Sequence, residues 1–136
     1  MQTQQQDAFT LAQQTWSEIN LTLLQNTLDS QCKEIIQNQS DSLLNRRRLA
    51  DATKDFKKVP DDQKISEFKN LLKLYQLEID SITKRSKVAE SAYLSIYETL
   101  SNAPDPAPLI SSVQVLFANI GKIETRWKSR GNLAGK

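Results

Sequence analysis

Two clusters of cations are the residues of this 136-residue chain best placed to do chemistry: Arg46-Arg47-Arg48 with Lys54, Lys57 and Lys58, and Lys84-Arg85-Ser86-Lys87. Guanidinium and ammonium groups in such runs recognise phosphate, on a nucleic acid or on a lipid headgroup. Asp51, Asp55, Asp61 and Asp62 dilute the first cluster. Consecutive arginines point in different directions around a helix, and no aromatic residue interleaves with them to stack a base. The first cluster therefore reads as a solvated face. In the second, Asp80 stands four residues before Lys84, the spacing of a surface ion pair. Small residues at Ser86, Ala89 and Ala92 leave room for another helix laid in a groove, which adds a partner-binding reading.

Other chemistry is ruled out by what the chain lacks. It has no histidine, one cysteine, and three glycines that all lie at or beyond Gly121. A zinc site wants several Cys or His ligands, a nucleophilic triad wants a base, and a phosphate-cradling loop wants clustered glycines before a helix. The Asp and Glu residues fall on helix surfaces and helix ends, so no enzyme, no metal and no cofactor is expected. With 38% hydrophobic and 25% charged residues the chain folds rather than staying disordered, and a net charge of +2 demands no nucleic-acid partner. Cys32 has no partner for an internal disulfide, which fits a reduced cytosolic setting. No apolar run approaches the roughly 20 residues that span a bilayer, so any membrane link must lie outside this chain.

The elements that position these clusters are helical. From Ile65 to Leu100 an apolar or small residue returns at steps of three and four: Ile65, Phe68, Leu72, Tyr75, Ile79, Ile82, Ser86, Ala89, Tyr93, Ile96 and Leu100. An average step of 3.5 keeps a narrow stripe against a neighbour by supercoiling. The first segment has no proline or glycine before Pro60 and predicts one long helix over residues 3–58. In its middle, Gln31, Asn38, Ser42 and Asn45 occupy the strict heptad continued from Leu24 and Leu28. The stripe is expected to drift instead toward Cys32, Ile36, Leu43 and Leu44. Val59-Pro60 is a tight turn, so a second helix over 61–102 returns antiparallel and buries its stripe against Leu28 to Phe56. Pro104, Pro106 and Pro108 force another reversal, with Asp105 as N-cap and Pro106 as first helical residue. Leu109, Val113, Leu116, Ile120, Ile123 and Trp127 predict a third helix over 106–128, and residues 131–136 form a disordered tail. The expectation is all-α: an elongated three-helix up-down-up antiparallel bundle with coiled-coil-like packing, one domain over 1–130.

Phe56-Lys57-Lys58, Leu71-Leu72-Lys73-Leu74-Tyr75-Gln76-Leu77-Glu78-Ile79-Asp80, Lys84-Arg85-Ser86-Lys87-Val88-Ala89-Glu90, Tyr97 and Pro104-Asp105-Pro106-Ala107-Pro108-Leu109 carry a resemblance. In order and spacing, over roughly Leu21 to Leu109, they resemble the N-terminal region of the CASP family. These are Golgi coiled-coil proteins that share the region with cut-like homeobox transcription factors; the short form of the loop is that of a fungal member. The resemblance implies a golgin: a cytosol-facing rod, dimeric through a long coiled coil, anchored in the Golgi membrane by a C-terminal helix, and acting in intra-Golgi retrograde transport. This chain would then be a piece of a longer coiled-coil membrane protein. Its function would be contact with vesicle, tethering-complex or SNARE components, through Lys84, Arg85, Lys87, Pro104, Asp105, Pro106 and Pro108. The alternatives are a nucleic-acid or chromatin module acting through the basic turn, and a purely structural module that forms a homodimer.

Overall fold

A computed structural model describes residues 2–134, with side chains for residues 7–131. Four α-helices follow one another: α1 Gln2–Ile19, α2 Leu21–Lys58, α3 Lys64–Leu100 and α4 Ala107–Ala134. No strand occurs among the described residues, as the 3.5-residue patterning requires. They form two compact units, one of residues Leu21–Ser101 and one of Met1–Asn20 with Asn102–Lys136.

Helix bounds depart most from the expected ones at three places. The expected run over 3–58 is interrupted at Asn20, whose φ of 50° is left-handed. Asparagine tolerates that region better than other non-glycine residues, because its short polar side chain hydrogen-bonds locally. The Asn20 amide also donates to the Trp16 carbonyl at 3.1 Å. The helix expected from residue 61 starts at Lys64, since Gln63 N donates to Pro60 O at 3.0 Å and closes a turn first. Asp61 joins Lys64 across that turn at 3.1 Å. Residues 131–134 continue α4 instead of trailing off, whereas Gly135 and Lys136 of the expected tail lie outside the described residues.

In the Leu21–Ser101 unit, α2 and α3 form an antiparallel hairpin. Phe56 and Phe68 close its turn end, with ring centroids 6.2 Å apart. Further along, the hydroxyls of Thr53 and Tyr75 lie 2.7 Å apart. The face of α2 that is covered follows the strict heptad: Leu24, Leu28, Gln31, Ile35, Asn38, Ser42, Asn45, Leu49, Ala52 and Phe56 are half-buried, while Cys32, Ile36, Leu43 and Leu44 are exposed. The drift expected from the apolar residues does not take place.

The covered face of α3 is displaced in the same sense. Leu71, Glu78, Ser81, Arg85, Val88, Ala92, Ile96 and Thr99 line it, and Glu78 and Ala92 are 7% and 9% exposed. Most of the stripe that was expected to be buried against α2 faces outward instead, with Ile65 79% exposed, Ile79 59% and Tyr93 65%, while Phe68 and Tyr75 still reach Phe56 and Thr53. Ile96 alone belongs to both. The hairpin accommodates a polar seam because none of its polar groups is sealed from water unmatched. Arg85 Nη2 donates to Glu78 Oε1 at 2.6 Å, and among the described residues no buried side-chain nitrogen or oxygen lacks a hydrogen bond.

In the other unit, the Trp16 indole N–H donates to the carbonyl of Pro104 at 3.0 Å, and Ala12 is buried. The Asp105 carboxylate accepts from the Ala107 amide at 3.0 Å, the expected N-cap of α4. The stripe of α4 is solvent-exposed beyond the half-buried Leu109, with Trp127 at 78%. Trp16→Phe keeps the ring and removes the donor, leaving the Pro104 carbonyl unmatched. It should lower stability by about 1 kcal/mol in denaturant titration, with helicity unchanged by circular dichroism.

Candidate partner-binding surfaces

The heptad register decides which of the chain's cations are free. Glu78 and Arg85 stand one heptad apart on α3, so both fall on the face toward α2. Asn45 and Leu49 line a recess with Glu78 and Ser81, and Asn38 and Ser42 line the next one with Arg85. The guanidinium is thereby committed to a carboxylate in the seam, where its side chain is 15% exposed and that of Glu78 8%. Arg85, proposed from sequence as a partner contact, is a structural residue. Its signal was legible as an acid and a base seven residues apart within a run otherwise read as surface.

Lys84 and Lys87 remain exposed. The surface pair expected between Asp80 and Lys84 is not among the ion pairs of the described residues; exposed pairs are Asp29 with Lys33 at 3.0 Å and Asp61 with Lys64 at 3.1 Å. Two members of the proline turn carry structural bonds, Pro104 to Trp16 and Asp105 to Ala107. Pro104 and Pro106 are half-buried, and Asp105 and Pro108 exposed. The proposed set thus divides: Lys84, Arg85 and Lys87 sit in mid-α3 of the hairpin unit, and Pro104, Asp105, Pro106 and Pro108 in the other unit. Thirteen residues of α3, about 20 Å of helix, separate Lys87 from Leu100.

The basic turn is also open. Arg46, Arg47, Arg48, Lys54, Lys57 and Lys58 are all exposed on the last turns of α2, and none appears in an ion pair among the described residues. Lys57 and Lys58 occupy the last turn of α2, where the helix carbonyls favour positive charge.

A further surface feature, outside the set of contacts expected from the sequence, is apolar. On the side of the hairpin where the α3 stripe lies, Cys32 and Ile36 of α2 line a shallow groove with Ala89, Tyr93 and Ile96. Cys32 and Ile36 of the drifted α2 residues thus meet the Ala89 to Ile96 part of the α3 stripe on one open face. Among the described residues no cluster of His, Cys, Asp and Glu could hold a metal ion, and no helix is long and apolar enough to cross a membrane.

Comparison with known proteins supplies the family. The family described as "CUX1-like, N-terminal tRNA-binding arm" matches residues 3–117. Protein CASP of Arabidopsis thaliana is 44% identical over 110 residues, 81% of this chain and 16% of that protein. Protein CASP of Schizosaccharomyces pombe is 40% identical over 127 residues, 90% of this chain and 20% of that protein. Human homeobox protein cut-like 1 is 34% identical over 100 residues, 74% of this chain and 7% of that protein. The chain thus spans about a fifth or less of the length of these relatives. No solved structure matches it. A match over most of the chain, with the motifs from Phe56 to Leu109 in order, means that the chain belongs to the CUX1-like N-terminal arm family that CASP proteins share with cut-like homeobox proteins.

Proposed function

We propose that this chain is the N-terminal head of a golgin-type tether on the cytosolic face of the Golgi membrane. There it acts without catalysis in intra-Golgi retrograde transport, by binding protein components of vesicles, tethering complexes or SNARE assemblies. The observation that carries this reading is the orientation of the hairpin, whose apolar stripe faces outward beside the exposed cations Lys84 and Lys87. A folded chain that leaves such a stripe uncovered is built for contact with another macromolecule. Membership of the CASP family supports the Golgi setting. Arg85 drops out of the contact set, and Lys84 and Lys87 with the turn residues Asp105 and Pro108 remain in it.

The test is proximity labelling in cells with the intact protein, wild type against Lys84→Glu/Lys87→Glu. Loss of labelled Golgi proteins from the variant is the expected result, with helicity preserved in the isolated chain. An unchanged labelling pattern removes the lysines from the contact.

A second reading rests on the description of the family as a tRNA-binding arm and on the six exposed cations around the end of α2. Under it, a structured RNA would lie against Arg46, Arg47, Arg48, Lys54, Lys57 and Lys58. Filter binding of bulk tRNA decides this. Affinity that falls steeply with added salt and is lost in Arg47→Glu/Lys54→Glu supports the RNA reading, because phosphate neutralisation releases counterions. Absence of binding at low salt ends it.

A further inference from the structure

We propose that the open face of α3 is a self-association surface on which the α3 of a second copy of this chain packs antiparallel, about a two-fold axis at the level of Lys84. The inference starts from the same outward-facing stripe as the tether reading, assigns that stripe to a second copy, and leaves Lys84 and Lys87 to other partners.

The stripe has the form of a coiled-coil seam that α2 touches only toward its ends, through Phe68, Tyr75 and Ile96. Its 3.5-residue step runs from Phe68 to Leu100 on the exposed side of α3, and such a step stays in contact only with another supercoiled helix. Those 33 residues are about 50 Å of helix, so the occupant must present a helix of similar length. α4, with 28 residues, is shorter than the stripe, and α2 is engaged on a different face. A second α3 has both the length and the step.

Spacing and side-chain size select the antiparallel pairing. The positions Phe68, Leu72, Tyr75, Ile79 and Ile82, followed by Ser86, Ala89, Tyr93, Ile96 and Leu100, read the same in either direction about Lys84. A two-fold there sets Ile82 against Ser86, Ile79 against Ala89, Tyr75 against Tyr93, Leu72 against Ile96 and Phe68 against Leu100. Large thus meets small at the centre and large meets large toward the ends, the self-complementarity that an isologous interface needs. A parallel pairing sets Ser86 on Ser86 and Ala89 on Ala89, leaving two thin layers between bulky ones. The row edging the stripe agrees. Along the row Lys69, Gln76, Thr83, Glu90 and Tyr97, Gln76 comes nearest Glu90 and Lys69 nearest Tyr97, two residues out of step with the axis at Lys84, with no like charges opposed. With roughly ten side chains contributing about 80 Å² each, a copy would bury on the order of 800 Å², the usual share of a stable interface.

Sedimentation equilibrium and light scattering of the full 136-residue chain test the pairing. A concentration-dependent dimer is expected. Ile79→Glu/Ile82→Glu should weaken it by about a hundredfold or more, since both side chains lie near the centre of the interface. Its helicity should not change, because neither side chain is in the hairpin seam. A wild-type chain that stays monomeric, or a variant that still dimerises, overturns the proposal. Direction is read by cross-linking in a Cys32→Ser background, where chains carrying Ile82→Cys are mixed with chains carrying Ser86→Cys under mild oxidation. Predominance of the mixed disulfide is expected. Predominance of the two same-site disulfides marks parallel packing and overturns it. A monomeric result leaves the tether reading standing; a dimer whose cellular labelling is lost in Lys84→Glu/Lys87→Glu supports both.

Discussion

Arg85→Leu should destabilise the chain by about 3 kcal/mol, because it leaves the Glu78 carboxylate desolvated and without its donor. At this chain length that is a fall of about 10 °C in melting temperature. Glu78→Leu should cost a similar amount for the converse reason, an unpaired guanidinium in the seam. The double variant Glu78→Leu/Arg85→Leu should recover most of the loss and equal or exceed the wild type, since desolvating two charges can outweigh their attraction at 2.6 Å. A double-mutant cycle by chemical denaturation measures the difference directly. Additive losses in the double variant would mean that the two side chains act separately, and the account of a paired seam would be withdrawn.

The second large effect concerns the amides of α2. Asn38→Leu/Asn45→Leu replaces two half-buried polar residues by apolar ones, and should add about 1 to 2 kcal/mol of stability for the pair through extra apolar burial. The same change should cost uniqueness. A polar residue at a core heptad position disfavours registers and partners in which its amide goes unmatched. Without the amides, α2 gains a more apolar face, interrupted only at Gln31 and Ser42, that can pair with other copies in several registers. Light scattering should then show a mixture of larger species where the wild type shows at most one defined assembly. A more stable variant that keeps a single assembly would mean that the amides do not select the pairing.

Much of the architecture was legible because it depends on local rules. Pro60 and Pro104 interrupt helices for want of a donor and of room, and Asp105 caps because its carboxylate reaches the Ala107 amide. The break at Asn20 carried only the weak signal that asparagine tolerates positive φ. The rotation of each helix was the hidden part. Periodicity reveals which residues share a face, but a two-stripe helix offers two faces to its neighbour, and apolar content alone favours the one that here stays outside. Gln31, Asn38, Ser42 and Asn45 keep the strict heptad and mark the true seam of α2, while Glu78 and Arg85 mark that of α3. Polar residues signal an inner face only once their pairing is known, and a pairing seven residues apart is not a surface spacing. For the site, the exposed lysines were legible as cations, but Arg85 could not be told from them until its partner was located.

The two stripes of α3 also separate the grounds on which this segment can be altered by mutation. Arg85 and Ala92 answer to the chain's own second helix, whereas Ile79 and Tyr93 answer to whatever lies outside. A lineage can therefore retune its choice of associate, residue by residue, while inheriting an undisturbed hairpin.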